Sequence, residues 1–227
     1  MQNLFGMNGR LFRYCEIISR FAYVNILWIT FTIFGLGVLG IMPATAAMFS
    51  VVRKWVMKEM NIPIFKTFWG NYRKEFVRSN LIGLILFIIG YILYVDFALL
   101  PTGGLFTLLR IALMVVGLLF IIVLLYIFPI FAHYDWKKRL YIKYALILGS
   151  AHPHYTLLML ILMGAIYYIS MTFPGLIPFF SGSVTAYVMM WTAYQVIKRM
   201  EEVHAAKEKA NENQRVGQPK GELLEER

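Results

Sequence analysis

Apolar residues run through this chain in long blocks, with the charges gathered between them. Phe21–Met42 carries no Lys, Arg, Asp or Glu, Ser79–Val95 is uncharged up to Asp96, Ile111–Ala132 is uncharged, and Tyr144–Ile197 runs 54 residues without a charge. A helix crossing about 30 Å of hydrocarbon needs roughly 20 apolar residues, because inside lipid every backbone polar group must be bonded within the segment. The first three blocks meet that need. The fourth would be about 80 Å long as one helix, far more than one crossing requires, so it folds back. Pro174-Gly175 and Pro178 remove backbone donors and permit a tight reversal there. The pattern therefore predicts an all-α, polytopic transmembrane bundle over residues 1–199. Its five crossings fall near 21–42, 79–97, 108–131, 155–173 and 176–197, and a polar tail follows over 200–227.

Composition agrees: 59% of the 227 residues are apolar and 15% are charged, against roughly a quarter charged in a soluble domain. The charge balance adds a topology. Of 22 Lys and Arg, 15 lie in residues 1–197 beside only Glu16, Glu59, Glu75, Asp96 and Asp135, so the net +10 belongs to the apolar part. Basic residues flanking apolar runs anchor to anionic headgroups and mark the cytoplasmic side; with no soluble basic domain, nucleic acid is not the expected partner. Arg53, Lys54, Lys58, Lys66, Arg73, Lys74 and Arg78 fill the loop expected at 43–78, and four more bases lie between Lys137 and Lys143. Those loops and the tail are expected in the cytoplasm, with the amino terminus outside. This leaves Arg10, Arg13 and Arg20 on the outer side. A dip and return through Gly35, Gly37, Gly40 and Pro43 would bring them in, but a full crossing is the expectation, since re-entrant backbone needs shielding by protein. Ala44-Thr45-Ala46 resembles a signal cleavage site, yet the run before it is long for a signal core and starts late, so an uncleaved anchor is expected.

Between the first two crossings Phe65, Phe68, Trp69, Tyr72 and Phe76 recur at helical spacing with Lys66, Arg73, Lys74 and Arg78 on other faces. That predicts an amphipathic helix lying in the cytoplasmic interface, with Arg53, Lys54 and Trp55 in the same role. Ser181, Gly182, Thr185 and Ala186 are spaced for close helix packing, and Asn25 and Gln195, the most polar embedded side chains, are expected to bond neighbouring helices. The tail is read as a few more helical turns followed by a disordered polar segment.

Candidate chemistry is sparse. His133, His152 and His154 are the only cluster worth weighing for a metal, and the His-Pro-His step offers neither fixed helical spacing nor a clear supporting shell. The single Cys15 excludes an internal disulfide framework. No Asp, Glu, Lys or Arg stands at mid-depth in a crossing, where such residues mark ion or proton pathways, and no nucleotide, hydrolase or zinc-protease motif occurs. Neither a cofactor nor a reaction is expected.

LFRYCEIISRFAYVNILW, GLGVLGIMPATAAMFSVVRKW and IPIFKTFWGNYRKEF, within residues 11–76, resemble the YesL family of small bacterial integral membrane proteins, a domain of unknown function. The likeness extends more loosely over residues 9–200. It implies about five crossings and no catalytic residues to carry over. Because family members tend to be encoded beside sugar-uptake transporters and sensor kinases, it also implies an accessory role in carbohydrate uptake or its sensing, with transporter subunits or a kinase as partners. A carotenoid-cleaving label given to some relatives needs four His ligands, and His204 lies apart in the tail. The alternatives are a small transporter or channel acting alone as a homo-oligomer, or a membrane-embedded enzyme on a lipid-like substrate using the three histidines.

Overall fold

The computed structural model describes residues 2–101, 103–104, 106–134 and 138–217. Among them seven α-helices follow in chain order: α1 (Gln2–Phe34), α2 (Val38–Val56), α3 (Ile64–Leu99), α4 (Phe106–His133), α5 (Lys138–Ala151), α6 (Pro153–Thr172) and α7 (Gly182–Gly217). A 3-10 turn at Pro174–Leu176 and a π turn at Ile177–Ser181 join the last two, where the reversal was expected. Five stretches are long and apolar enough to cross a membrane: Phe12–Phe34, Ile64–Leu99, Phe106–His133, Pro153–Thr172 and Pro174–Val203. The protein is an all-α, multi-pass membrane bundle. Asp135 and residues 218–227 of the tail lie outside the described residues.

Residues 21–42 do not form one helix. α1 ends at Phe34, where Leu36 (φ 62°) and Gly37 (φ 69°) turn left-handed. The Gly37 N–H donates to the Thr32 carbonyl at 2.9 Å and the Leu36 N–H to Ile33 at 3.1 Å, the two bonds of a Schellman stop. Beyond it the backbones at Gly35 and Gly40 approach so closely that a Cβ on Gly40 would strike the Thr32 carbonyl. α2 therefore runs back along α1: Trp28 Nε1 donates to Thr45 Oγ1 at 3.0 Å, and the Phe21 and Trp55 rings lie 5.2 Å apart. At the open end of this hairpin Arg20 Nη1 donates to the Met60 carbonyl at 2.5 Å. Arg20 thus stands beside the residue 57–63 loop.

Nor is 43–78 a loop. α2 is the most enclosed helix, with Ala44, Ala47, Val51 and Val52 fully buried and Phe49 and Trp55 nearly so; it packs on α1, α3, α4 and α7. Its small residues let other backbones come close, which matters where lipid supplies no hydrophobic force between helices and packing must hold them. The segment expected to lie in the interface is the first half of α3, continuous with the crossing that follows.

At two prolines a side chain serves the carbonyl left without its helical donor. Pro43 cannot donate to Leu39, four residues back, and Asn80 Nδ2 of α3 donates there instead at 3.0 Å. Pro153 cannot donate to Gly149, and the Thr156 hydroxyl does so at 3.0 Å while lying 3.1 Å from the Tyr126 hydroxyl on α4. This second break separates α5 from α6.

Candidate functional site

The carboxyl end of α4 gathers most of the polar chemistry. A helix ends with carbonyls that lack partners, and here two side chains serve them. Arg53 Nη1 donates to the Ala132 carbonyl at 2.7 Å and the Tyr141 hydroxyl to the Tyr134 carbonyl at 2.9 Å. Tyr134 in turn donates to Glu201 at 2.7 Å. Its phenol is raised above the ordinary value, first by burial and then by that hydrogen bond, which keeps the proton on the donor. Arg78 donates to the Tyr141 hydroxyl at 2.5 Å and sits over the Phe131 and Tyr141 rings. Between α2, α3 and this helix end lies a cavity of about 150 Å³, lined by Ser50, Arg53, Asn71, Lys74, Glu75, Arg78 and His133 among others.

Of the residues singled out in the sequence, Arg53 and Lys74 reach this cavity, whereas Lys54 and Arg73 lie outside its lining. Trp55 is 4% exposed and packs on Phe21, so it belongs to the core and not to the membrane surface. Phe31 of α1 meets Phe65, Phe68, Trp69 and Tyr72, with ring centres 6.4, 5.3, 5.3 and 5.1 Å away. Phe68 and Tyr72 are buried, and Phe65 and Trp69 stay exposed with Arg73 over the Trp69 ring. Only the outer part of that aromatic face is available to lipid.

Asn25 is fully buried and bridges a break in the helix opposite. Its Nδ2 donates to the Pro178 carbonyl at 2.7 Å and its Oδ1 accepts the Ser183 N–H at 2.9 Å. Gly182 makes room, since a Cβ there would sit 2.7 Å from Asn25 Oδ1. Ala186 is buried beyond it, whereas the Ser181 and Thr185 hydroxyls donate to carbonyls of their own turn. The histidines stay in separate settings: His133 lies against Tyr134 and Tyr194, while His152 and His154 pair with each other and Tyr155. No group of three His, Cys, Asp or Glu that could hold a metal forms among the described residues. Glu75 and Ser183 were not singled out, and Arg78 was read only as one of the bases on the polar faces of that amphipathic helix.

A wide apolar groove of about 620 Å³ lies elsewhere between α2 and α3, lined by Leu39, Met42, Val77, Leu81, Leu84 and Phe87 among others, a surface suited to acyl chains.

A family profile described as "Protein of unknown function, DUF624" matches residues 21–97. Three uncharacterized proteins of Bacillus subtilis (strain 168) are similar along most of their length. YteU is 50% identical over 87% of this chain and 89% of its own, YesV 37% over 86% and 94%, and YesL 32% over 89% and 96%. No solved structure matches. With the bundle and the full-length likeness in agreement, the chain belongs to the YesL-like family of multi-pass membrane proteins of unknown function.

Proposed function

We propose that this chain is a non-catalytic accessory protein that works by assembling with other membrane proteins of carbohydrate uptake or its sensing, a sugar transporter subunit or a sensor kinase. The observation that carries the non-catalytic part is how the buried polar side chains are used. Asn25, Thr156 and Tyr126 bond across helices, and Thr192 bonds back to its own helix at Val188. In the bundle the first three hold helices together, which in lipid is the use that small polar side chains serve best. The choice of partner follows the resemblance to a family whose members tend to be encoded beside such systems.

Orientation belongs to the same reading. Arg20, Arg53, Arg78 and Arg199 are tied by contacts to one end of the bundle, through Met60, Ala132, Tyr141 and Tyr155 respectively. Asp96 and Arg110, the latter over the Phe97 ring, stand at the far ends of α3 and α4. Under the positive-inside rule the crowded end faces the cytoplasm, and with it both the start of α1 and the end of α7.

Purification of the tagged chain from its native membranes in mild detergent tests the assembly. A transporter or kinase subunit recovered in stoichiometric amount supports it, and repeated recovery of the bare chain removes it.

A further inference from the structure

We infer that the apolar groove between α2 and α3 holds one acyl chain of an anionic phospholipid whose phosphate sits on Arg73, a site that stands apart from the assembly role. α2 and α3 meet at two points there. Met42 fills the space beside Gly83, where a Cβ would come within 2.5 Å of its Cγ, and Asn80 Nδ2 donates to the Leu39 carbonyl at 3.0 Å. Around those contacts the walls stay open: Val38, Val77, Leu84 and Phe87 are 83, 78, 54 and 70% exposed beside a concavity of about 620 Å³. Exposed apolar side chains on a convex helix are ordinary in lipid. A concave wall is different, because only a chain that enters it restores the contacts that packing supplies.

Three observations choose the occupant. Helices associate in lipid through small residues and interhelical hydrogen bonds, and this groove offers a partner helix neither: Gly83 is covered by Met42, and the Asn80 amide nitrogen is committed to the Leu39 and Phe76 carbonyls, at 3.0 and 2.9 Å. Asn80 is the one polar side chain in the described lining, so the occupant needs no polar group along this length. Arg73, Val77, Asn80, Leu84 and Phe87 form one stripe of α3, recurring at helical spacing. Arg73 heads it. It is exposed, its guanidinium lies 5.6 Å from the Trp69 ring centre, and it enters no ion pair or side-chain hydrogen bond among the described residues. An exposed Trp beside an Arg suits the headgroup level, and an Arg guanidinium matches phosphate oxygens two at a time. From Arg73 to Phe87 α3 rises about 21 Å, close to the roughly 20 Å from headgroups to bilayer midplane. The stripe is therefore as long as one leaflet, with the charge at its polar end and the apolar groove below.

The test uses the purified full chain in a neutral maltoside detergent, with the thermal unfolding midpoint and native mass spectrometry as readouts. Phosphatidylglycerol is the probe. Phosphatidylcholine with the same acyl chains and glycerol phosphate, which has none, are the controls. Phosphatidylglycerol should raise the midpoint in a saturable way and stay bound at one per chain; phosphatidylcholine should act roughly tenfold more weakly, and glycerol phosphate should not act. Arg73→Gln, at an exposed position, should fold normally and weaken phosphatidylglycerol roughly tenfold, about one charge-assisted hydrogen bond, bringing it level with phosphatidylcholine. Leu84→Trp, which fills the groove from an exposed position, should weaken both lipids. Lys143→Gln, at an exposed base on α5, should change neither. Equal responses to the two lipids in the wild type, a response to glycerol phosphate, or a phosphatidylglycerol response that Arg73→Gln and Leu84→Trp leave intact overturns the assignment. So does a dimer that Leu84→Trp breaks apart, since the groove would then belong to a second copy of the chain.

Discussion

Asn25 shows how one side chain can decide the shape of a membrane helix. The π turn at Ile177–Ser181 leaves the Pro178 carbonyl and the Ser183 N–H without each other, and the Asn25 amide spans both. Replacing it with Leu keeps the volume and orphans a donor and an acceptor together, so Asn25→Leu should cost about 3 kcal/mol, read as a lowered unfolding midpoint in detergent. Gly182→Ala attacks the same bridge by pushing a Cβ to 2.7 Å from Asn25 Oδ1. Its cost should be about 1–3 kcal/mol in the wild type and much less beside Asn25→Ala, where the obstructed atom is gone. Lys58 is a residue-scale effect of opposite sign. It takes φ 69° at the stop of α2, where the Glu59 N–H meets the Lys54 carbonyl at 2.8 Å, a position that glycine occupies without penalty. Lys58→Gly should therefore raise stability by about 1 kcal/mol; a lowered midpoint would show that the lysine side chain holds more than its backbone conformation costs.

At the scale of helices, two of the breaks in this bundle are repaired from another helix. Asn80 of α3 fills the gap that Pro43 leaves in α2, and this ties the two helices at a point set by the proline. If that is the role of Asn80, its removal and the return of a backbone N–H at position 43 should offset one another. Asn80→Ala should cost about 1–2 kcal/mol in the wild type and less in a Pro43→Ala background, where the new N–H reaches the Leu39 carbonyl. A double-mutant cycle that adds to within about 0.5 kcal/mol would dismiss the pairing. The same helices show what the sequence could and could not tell. The reversal at Pro174–Pro178 and the crossings through α3, α4 and α6 follow from length, charge and proline alone. α2 was hidden because Pro43, Thr45, Ser50, Arg53 and Lys54 dilute its hydropathy, and its burial comes from four neighbours that no local pattern reveals. Phe68 and Tyr72 read as lipid-facing for a similar reason: periodicity locates an apolar face but does not say whether lipid or Phe31 covers it. Arg53 and Lys74 could be named as basic surface residues, yet the cavity they share with Arg78 and Glu75 exists only once α4 ends beside them.

For the molecule as a whole, the left-handed turn at Leu36-Gly37 has the largest consequence, because reversing α1 there changes which end every later segment occupies. A continuous helix over 21–42 would have left Arg20 across the bilayer from Met60; the turn instead brings them into a hydrogen bond. In the proposed orientation Arg20 then shares a side with Arg53, as the positive-inside rule favours. Cys15 offers a direct check, being the only cysteine, exposed, and five residues ahead of Arg20 toward the crowded end. In intact cells a membrane-impermeant maleimide should leave it unlabelled, while inverted vesicles should label it readily. Lys58→Cys in a Cys15→Ser background should behave the same way, since the Arg20 to Met60 bond places both positions at one end. Opposite labelling of the two sites would mean that α1 crosses alone and that the hairpin is not the arrangement in the bilayer. Labelling of both from outside would keep the hairpin and invert the molecule, contradicting the positive-inside assignment but not the fold.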